Sequence, residues 1–350
     1  MPRGQQHLIS NRTATRPITT ANTSSTQAIT HERGGPRWRW LMATALPCAD
    51  RQAVAEVRLF IASHASSRMH VRANLFDANA LDAKGSGTTT ATCIETLLNA
   101  AEKDAVVSVS RVPGHKTLFW RRDLTPSAIA RYDLIWLLDC DVRVSSHLLS
   151  FRAVEHWLQT TRSSIVQPSV IPLKAGDRAG RGSFTRTSLS ADCLAKEMPF
   201  MEQMTPILRR GAFERVWNAL TTIPDEYLGS DSGIDVLWCG LASMAYPQWP
   251  ACSLLLTQSV VHMNTHTIHR FDKQEREHYF GKLNLYQYLQ HHFDREMRAA
   301  FRISDADLGR SGSSGNGTLV KWSLKSLDEW HARGSKMNPN ASASRGCWGL

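Results

Sequence analysis

From about residue 40 to residue 262 the chain alternates short apolar runs with amphipathic stretches. Trp40-Leu-Met-Ala-Thr-Ala-Leu46 reads as a strand. Arg51–His64 follows, with Val54, Val57, Leu59, Phe60 and Ile61 at spacings that suit a helix. Val71–Phe76 reads as a second strand, Asp77–Thr90 as a polar loop and Thr92–Glu102 as a helix. Ala105–Val109 is a third strand, and a helix begins near Thr117 and ends at Ser127–Arg131. Asp133–Leu138 then carries the unbroken apolar run Leu-Ile-Trp-Leu-Leu, and Leu254–Val261 is a later apolar strand. A strand apolar on both faces is what a buried parallel sheet requires. Strands and helices alternating at this spacing predict an α/β fold with a mostly parallel central sheet flanked by helices.

The ends break this pattern. Residues 1–36 are rich in Thr, Ser, Asn, Arg and Gly and have no apolar periodicity. Residues 303–350 contain a Gly/Ser linker from Gly309 to Gly317 and turn small and polar again after Gly334. Both tails are expected to be disordered, which leaves one domain over residues 37–302.

With 350 residues, 42% hydrophobic and 21% charged, the composition excludes collagen, a disulfide scaffold and a wholly disordered chain. No stretch approaches the roughly 20 apolar residues of a membrane span, so no transmembrane segment is expected. The formal charge of +10 points first to a polyanion. However, residues 1–40 hold six Arg against one Glu, and residues 303–350 hold six Lys or Arg against four acids. The part between carries only +3, and no specific nucleic-acid binding is expected of it.

The seven cysteines are scattered and form no C-x-x-C pair, so a zinc knuckle or redox motif is not expected. Most are read as small buried hydrophobes. Glycosylation sequons occur at Asn11, Asn22, Asn316 and Asn340, all in the tails. Two compartments follow as expectations: a Golgi or secretory lumen if an anchor precedes this sequence, and otherwise a soluble intracellular protein.

The distinctive chemistry is Asp139-Cys140-Asp141, directly after the apolar strand. In open α/β sheets, ligands bind just beyond the carboxyl ends of the strands. Two carboxylates there suit a hard cation, Mn²⁺ or Mg²⁺, bridging the phosphates of a nucleoside diphosphate. The plainer alternative is a polar strand end with ordinary loop acids.

Two superfamilies place D-x-D after a buried strand. In haloacid-dehalogenase-like phosphatases the first Asp is a nucleophile, the second a general acid, and a later acidic segment helps hold Mg²⁺. Asp231-Ser-Gly-Ile-Asp235 resembles that segment, although about a hundred folded residues precede the motif and Arg143 stands where Thr or Val is usual. The other superfamily is the nucleotide-sugar glycosyltransferases of the GT-A type. Gly114-His-Lys-Thr-Leu-Phe-Trp120, Asp123-Leu-Thr-Pro126 and Tyr132-Asp-Leu-Ile-Trp-Leu-Leu-Asp-Cys-Asp141 resemble the plant and algal family called domain of unknown function 707. Gln167-Pro168, Phe200-Met-Glu-Gln-Met-Thr-Pro-Ile-Leu-Arg209, Gly233-Ile-Asp235 and Val261-His262 extend the resemblance in order from about Trp40 to Arg270. Cys140 departs from the acid usual between the two Asp, and Gln203 and Thr205 replace small residues.

The resemblance implies a GT-A-like fold and a nucleotide-sugar donor, with a glycan, protein or small molecule as acceptor. It implies Asp141 as a metal ligand, with Asp139 binding metal or the donor ribose. His262 is a further metal ligand, with His266 and His269 in reserve, or else an ordinary core or surface histidine. Lys116 reaches the diphosphate, or else is a solvated lysine at a helix start. Asp235 is a general base, or an acid stabilised by a helix dipole. Glu202 serves the acceptor, or pairs with Arg209 or Arg210. The tryptophans at 120, 136, 157, 217 and 238 are assigned mainly to the core. A non-catalytic protein keeping the fold as a sugar- or partner-binding module is a third reading.

Overall fold

The computed structural model describes residues 37–85, 87–101, 105–173, 194–198, 201–228, 234–245, 250–263, 288–289, 291–293 and 347–348. All of them fall in one compact unit, Glu32–Leu350. Residues 1–36, and 303–350 apart from 347–348, lie outside the described residues, as do the two expectations of disorder placed on them.

In chain order the strands are β1 (Trp40–Leu46), β2 (Met69–Leu75), β3 (Val107–Ser110), β4 (Leu134–Leu137) and β5 (Val142–Arg143). They continue as β6 (Ile165–Pro172), β7 (Ala195–Glu197), β8 (Ile207–Arg209), β9 (Cys252–His262) and β10 (Cys347–Trp348). The helices are α1 (Arg51–His64), α2 (Ala78–Ala83), α3 (Gly87–Leu98), α4 (Lys116–Asp123), α5 (Pro126–Ile129), α6 (Phe151–Thr161), α7 (Arg210–Thr222) and α8 (Asp235–Ala245).

The strands form one sheet in the order β10-β7-β9-β6-β8-β4-β1-β2-β3, with β5 paired to β9. The N-terminal block β3-β2-β1-β4 is parallel throughout. Beyond it the sheet is mixed, because β8 enters antiparallel between β4 and β6 while β6 and β9 run parallel. The α/β fold is as the sequence indicates; the antiparallel strand β8 is only Ile207–Arg209, too short to show alternation. Among the described residues no helix is long and apolar enough to cross a membrane.

Alternation along β1 and β4 assigns side chains to the two faces of the sheet. Trp40, Met42, Leu134 and Trp136 pack with α1, α3 and α6, whereas Leu41, Ala43, Ile135 and Leu137 pack with α4, α7 and α8. On the first face Trp40, Phe60, Trp136 and Phe151 meet edge-on at centroid separations of 5.4 to 6.1 Å. The tryptophans expected in the core are there: Trp120, Trp136, Trp157 and Trp238 are buried, and Trp217 is partly so. Thr205, one of the departures from the family pattern, accepts a hydrogen bond from Trp136 Nε1 at 2.9 Å.

Two local expectations change. The polar stretch Asp77–Thr90 contains α2 and the start of α3, short helices whose mixed composition hides their periodicity. The single helix expected over Thr117–Arg131 is two, because Thr125 caps a new start, accepting from the Ala128 N–H at 3.3 Å with Pro126 at the first position. The cysteines differ as well. Cys48, in the turn after β1, pairs with Cys93 of α3, and Cys239 of α8 pairs with Cys252 of β9, contacts that sequence spacing does not reveal, while among the described residues Cys140 is free.

Two histidines on the described domain have pKa values below the ordinary value. Burial lowers His64, which packs between Phe60 and Phe151, and a hydrogen bond to Val144 only partly offsets this. Burial and the charge of Arg131 lower His70, which is hydrogen-bonded to the Tyr132 hydroxyl at 3.0 Å. The unfolded chain titrates near 6.5 and therefore binds more protons than the folded chain as pH falls through that region. Stability from these groups is present above about pH 6.5 and lost below it. His64→Leu is expected to reduce this acid loss relative to the parent, as read from urea midpoints at pH 7.5 and 5.5.

Candidate active site

The geometry of the site follows from how β4 ends. The Leu138 N–H still bonds to the Ala43 carbonyl at 3.0 Å, and the Asp139 N–H bonds to the Met204 carbonyl at 2.9 Å. The Val142 N–H then returns to the Asp139 carbonyl at 3.1 Å, closing a tight turn over Asp139–Asp141. β5 leaves that turn and pairs antiparallel with the end of β9, setting Val142 opposite His262. The Met263 N–H completes the frame on the Asp141 carbonyl at 2.8 Å. Arg143 is held by a two-pronged ion pair to Glu56 of α1, so the residue unusual for the phosphatase pattern anchors this turn.

The two carboxylates face different cations. Asp139 accepts from Lys116 Nζ at 2.6 Å, and the lysine is only 17% exposed and lies 5.8 Å from the Trp120 ring. The solvated-lysine reading of Lys116 is thereby corrected: its ammonium is drawn in by the carboxylate and the ring face. Asp141 Oδ2 lies 3.0 Å from His262 Nε2, with the two side chains 13% and 14% exposed. Burial pushes the His262 imidazole down, but the hydrogen bond and charge of Asp141, with Asp139 and Glu202 behind it, outweigh this and hold it above the ordinary value. Burial and the two neighbouring carboxylates push the Cys140 thiol up, leaving it protonated and inert as a nucleophile.

Asp139, Asp141 and His262, expected together around a metal, are brought to one strand end but do not converge as one ligand group. Among the described residues no three His, Cys, Asp or Glu side chains are arranged to hold an ion. The physical reason is Lys116, which engages Asp139 and leaves Asp141 with His262 as a pair.

Glu202 is half-buried in the segment that runs past Asp139 into β8, and its charge is felt at His262. Of the two arginines considered for it, Arg209 donates to the carbonyls of Ser163 and Leu158, and Arg210 pairs with Glu214 at 3.8 Å. Asp235 is the first residue of α8 and follows the buried Ile234. His266, His269 and Asp231 lie outside the described residues.

Residues that sequence reasoning missed hold the neighbouring loops. Asp77 accepts from the Cys48 and Ala49 N–H groups at 2.7 and 3.1 Å, tying the loop after β2 to the loop after β1. Buried Asn74 accepts from the Val112 N–H at 2.7 Å and donates to the Val112 carbonyl at 2.9 Å, fixing the approach to Lys116. The available signal was a polar residue at or just past the end of an apolar strand. Gly114 completes that approach with φ +93°, a conformation that side chains with a Cβ adopt only under strain, and an added Cβ would meet Leu118 Cδ1 at 2.9 Å. Gly114→Ala is expected to cost about 1–2 kcal/mol of stability and to displace Lys116, lowering the thermal midpoint together with any affinity for a diphosphate.

No protein-family model and no curated protein sequence matches the chain. Among solved structures it is similar to Staphylococcus aureus TarS 1–349, at 13% identity and a TM-score of 0.47 over 83% of this chain and 77% of that one. TarS 1–349 in complex with UDP is similar at 13% identity and a TM-score of 0.48, over 83% and 78% of the two chains. The mannosyltransferase PcManGT from Pyrobaculum calidifontis, in complex with GDP-Man and Mn²⁺, is similar at 14% identity and a TM-score of 0.42, over 87% and 81%.

Proposed function

We propose that the chain is a GT-A-like glycosyltransferase that moves a sugar from a nucleoside diphosphate donor to an acceptor hydroxyl with the help of Mn²⁺ or Mg²⁺. The observation that carries this reading is the Asp139–Asp141 turn beyond a parallel strand, where each carboxylate meets its own basic side chain. The ordered resemblance to the family of unknown function 707 supports the same fold and site.

The residues present fit a divalent ion. Asp141 Oδ2 and His262 Nε2 are 3.0 Å apart, and adjacent ligands of an octahedral ion bound at about 2.1 Å lie about 3 Å from each other. A carboxylate oxygen with an imidazole nitrogen suits Mn²⁺ and tolerates Mg²⁺. Ions held by one or two side chains take their other ligands from phosphate and water. When bound, the ion would neutralise charge developing on the leaving diphosphate.

The chain's own residues supply the rest. Lys116 exchanges Asp139 for a phosphate oxygen and holds it as a compact positive charge. Asp139, released from the lysine, accepts a ribose hydroxyl or reaches the ion, directly or through water. Asp235 or Glu202 takes the proton of the acceptor hydroxyl, which belongs to a glycan, a protein or a small molecule. The test is release of nucleoside diphosphate from a panel of UDP- and GDP-sugars with Mn²⁺. Turnover dependent on both metal and Asp141 supports the reading. Tight donor binding with neither hydrolysis nor transfer across a broad acceptor panel would instead mark a binding module.

A further inference from the structure

Between α1 and α3 lies a groove of about 380 Å³, lined by none of Lys116, Asp139, Asp141 and His262. Arg51 and Arg58 line one wall. Seven residues are close to two helical turns, so both guanidiniums project from one side of α1, from Cα positions about 10 Å apart. That separation lies within the reach of two arginines closing on one ion. Thr89, Thr92 and Thr96 line the other wall, at spacings that share one face of α3. The Cys48–Cys93 disulfide ties the turn that leads into α1 to α3 at one end of the groove.

The groove carries positive charge that no acid beside it offsets. Arg72, Arg111, Arg121, Arg143 and Arg209 each bond to a carbonyl or a carboxylate. Neither Arg51 nor Arg58 has a hydrogen-bond or ion-pair partner among the described residues. The acids of α1 are committed elsewhere: Asp50 caps the N–H groups of Gln52 and Ala53, and Glu56 holds Arg143. Two unmatched guanidiniums offer positive charge and hydrogen bonding, and no carboxylate lines the groove to repel an anion; the Thr96 hydroxyl is engaged within α3, donating to the Thr92 carbonyl at 2.7 Å.

We propose that this groove is an oxyanion site that takes a phosphate or sulfate group, separate from the turn that would hold a donor diphosphate. The guanidiniums bind oxyanion oxygens through paired N–H donors, and the Thr89 hydroxyl on the facing wall adds one more donor. The site does not depend on the glycosyltransferase reading.

The test is calorimetric titration with inorganic phosphate and with inorganic sulfate, each against chloride at matched ionic strength. Saturable one-to-one binding is expected in the parent and in Lys116→Met. Arg51→Gln and Arg58→Gln are each expected to weaken it about five- to tenfold, and the pair to abolish it. Both arginines are exposed, and an unchanged thermal midpoint shows that each variant is folded. Glucose 6-phosphate separates the sources. Tighter binding than inorganic phosphate assigns a sugar ester, and equal binding assigns the free ion. Absence of saturable binding, its persistence in the double variant, or its loss in Lys116→Met overturns the proposal.

Discussion

On the proposed glycosyltransferase reading, Asp141→Asn is expected to lower sugar transfer at saturating donor by about 10²- to 10³-fold while leaving the fold intact. The substitution keeps the shape of the side chain but removes the charge 3.0 Å from His262. Two consequences follow. The imidazole loses the hydrogen bond and charge that hold its pKa up, so burial draws it down. The strand end also loses the anionic ligand proposed for the metal, because the amide oxygen that remains is neutral. The turn itself rests on backbone bonds to Ala43, Met204 and Met263, none of which needs the carboxylate. Kinetics with thermal unfolding on the same sample check this: a large fall in turnover at an unchanged midpoint is the expected combination. A fall in both together would place Asp141 among the structural residues.

Glu155→Ala is expected to produce the largest stability loss, about 3–5 kcal/mol. Glu155 is 2% exposed, and its carboxylate accepts from the Arg37 N–H, the Trp38 N–H and Trp40 Nε1, each at 2.9 Å. These bonds hold the segment that enters β1, the strand at the centre of the parallel block. Truncation leaves the indole N–H of fully buried Trp40 without an acceptor and a void beside α6. In a domain of this size the thermal midpoint is expected to fall by roughly 10 °C. Glu155→Gln retains one acceptor oxygen and is expected to lose less than half as much. Equal losses in the two variants would show that volume, rather than the three hydrogen bonds, sets the effect.

The parallel half of the fold was legible in the sequence because its signal is local. Leu-Ile-Trp-Leu-Leu is apolar on both faces and short, which fits a buried strand better than a helix. The turn after it was legible for the same reason, since two acids at the end of a buried strand stand out. Pairings between distant segments were not legible. Nothing local says that Arg143 meets Glu56, that Cys48 meets Cys93, or that β8 slips in antiparallel beside β4. Glu155 carried a signal that went unused: it lies between Val154 and Leu158 on the apolar face of an amphipathic helix, where a charge needs buried donors. Lys116 shows the opposite limit. Its position at a helix start was readable, but its ion pair with Asp139 depends on the packing of α4 against the sheet.

The most direct measurement is calorimetric titration of the parent chain and Asp141→Asn with UDP and with GDP, each with and without Mn²⁺. Saturable binding of one of these nucleotides, strengthened at least tenfold by Mn²⁺ in the parent and not in the variant, is the expected result. No binding of either nucleotide with metal, or metal-dependent binding that survives in Asp141→Asn, would contradict the assignment of the Asp139–Asp141 turn as a diphosphate and metal site.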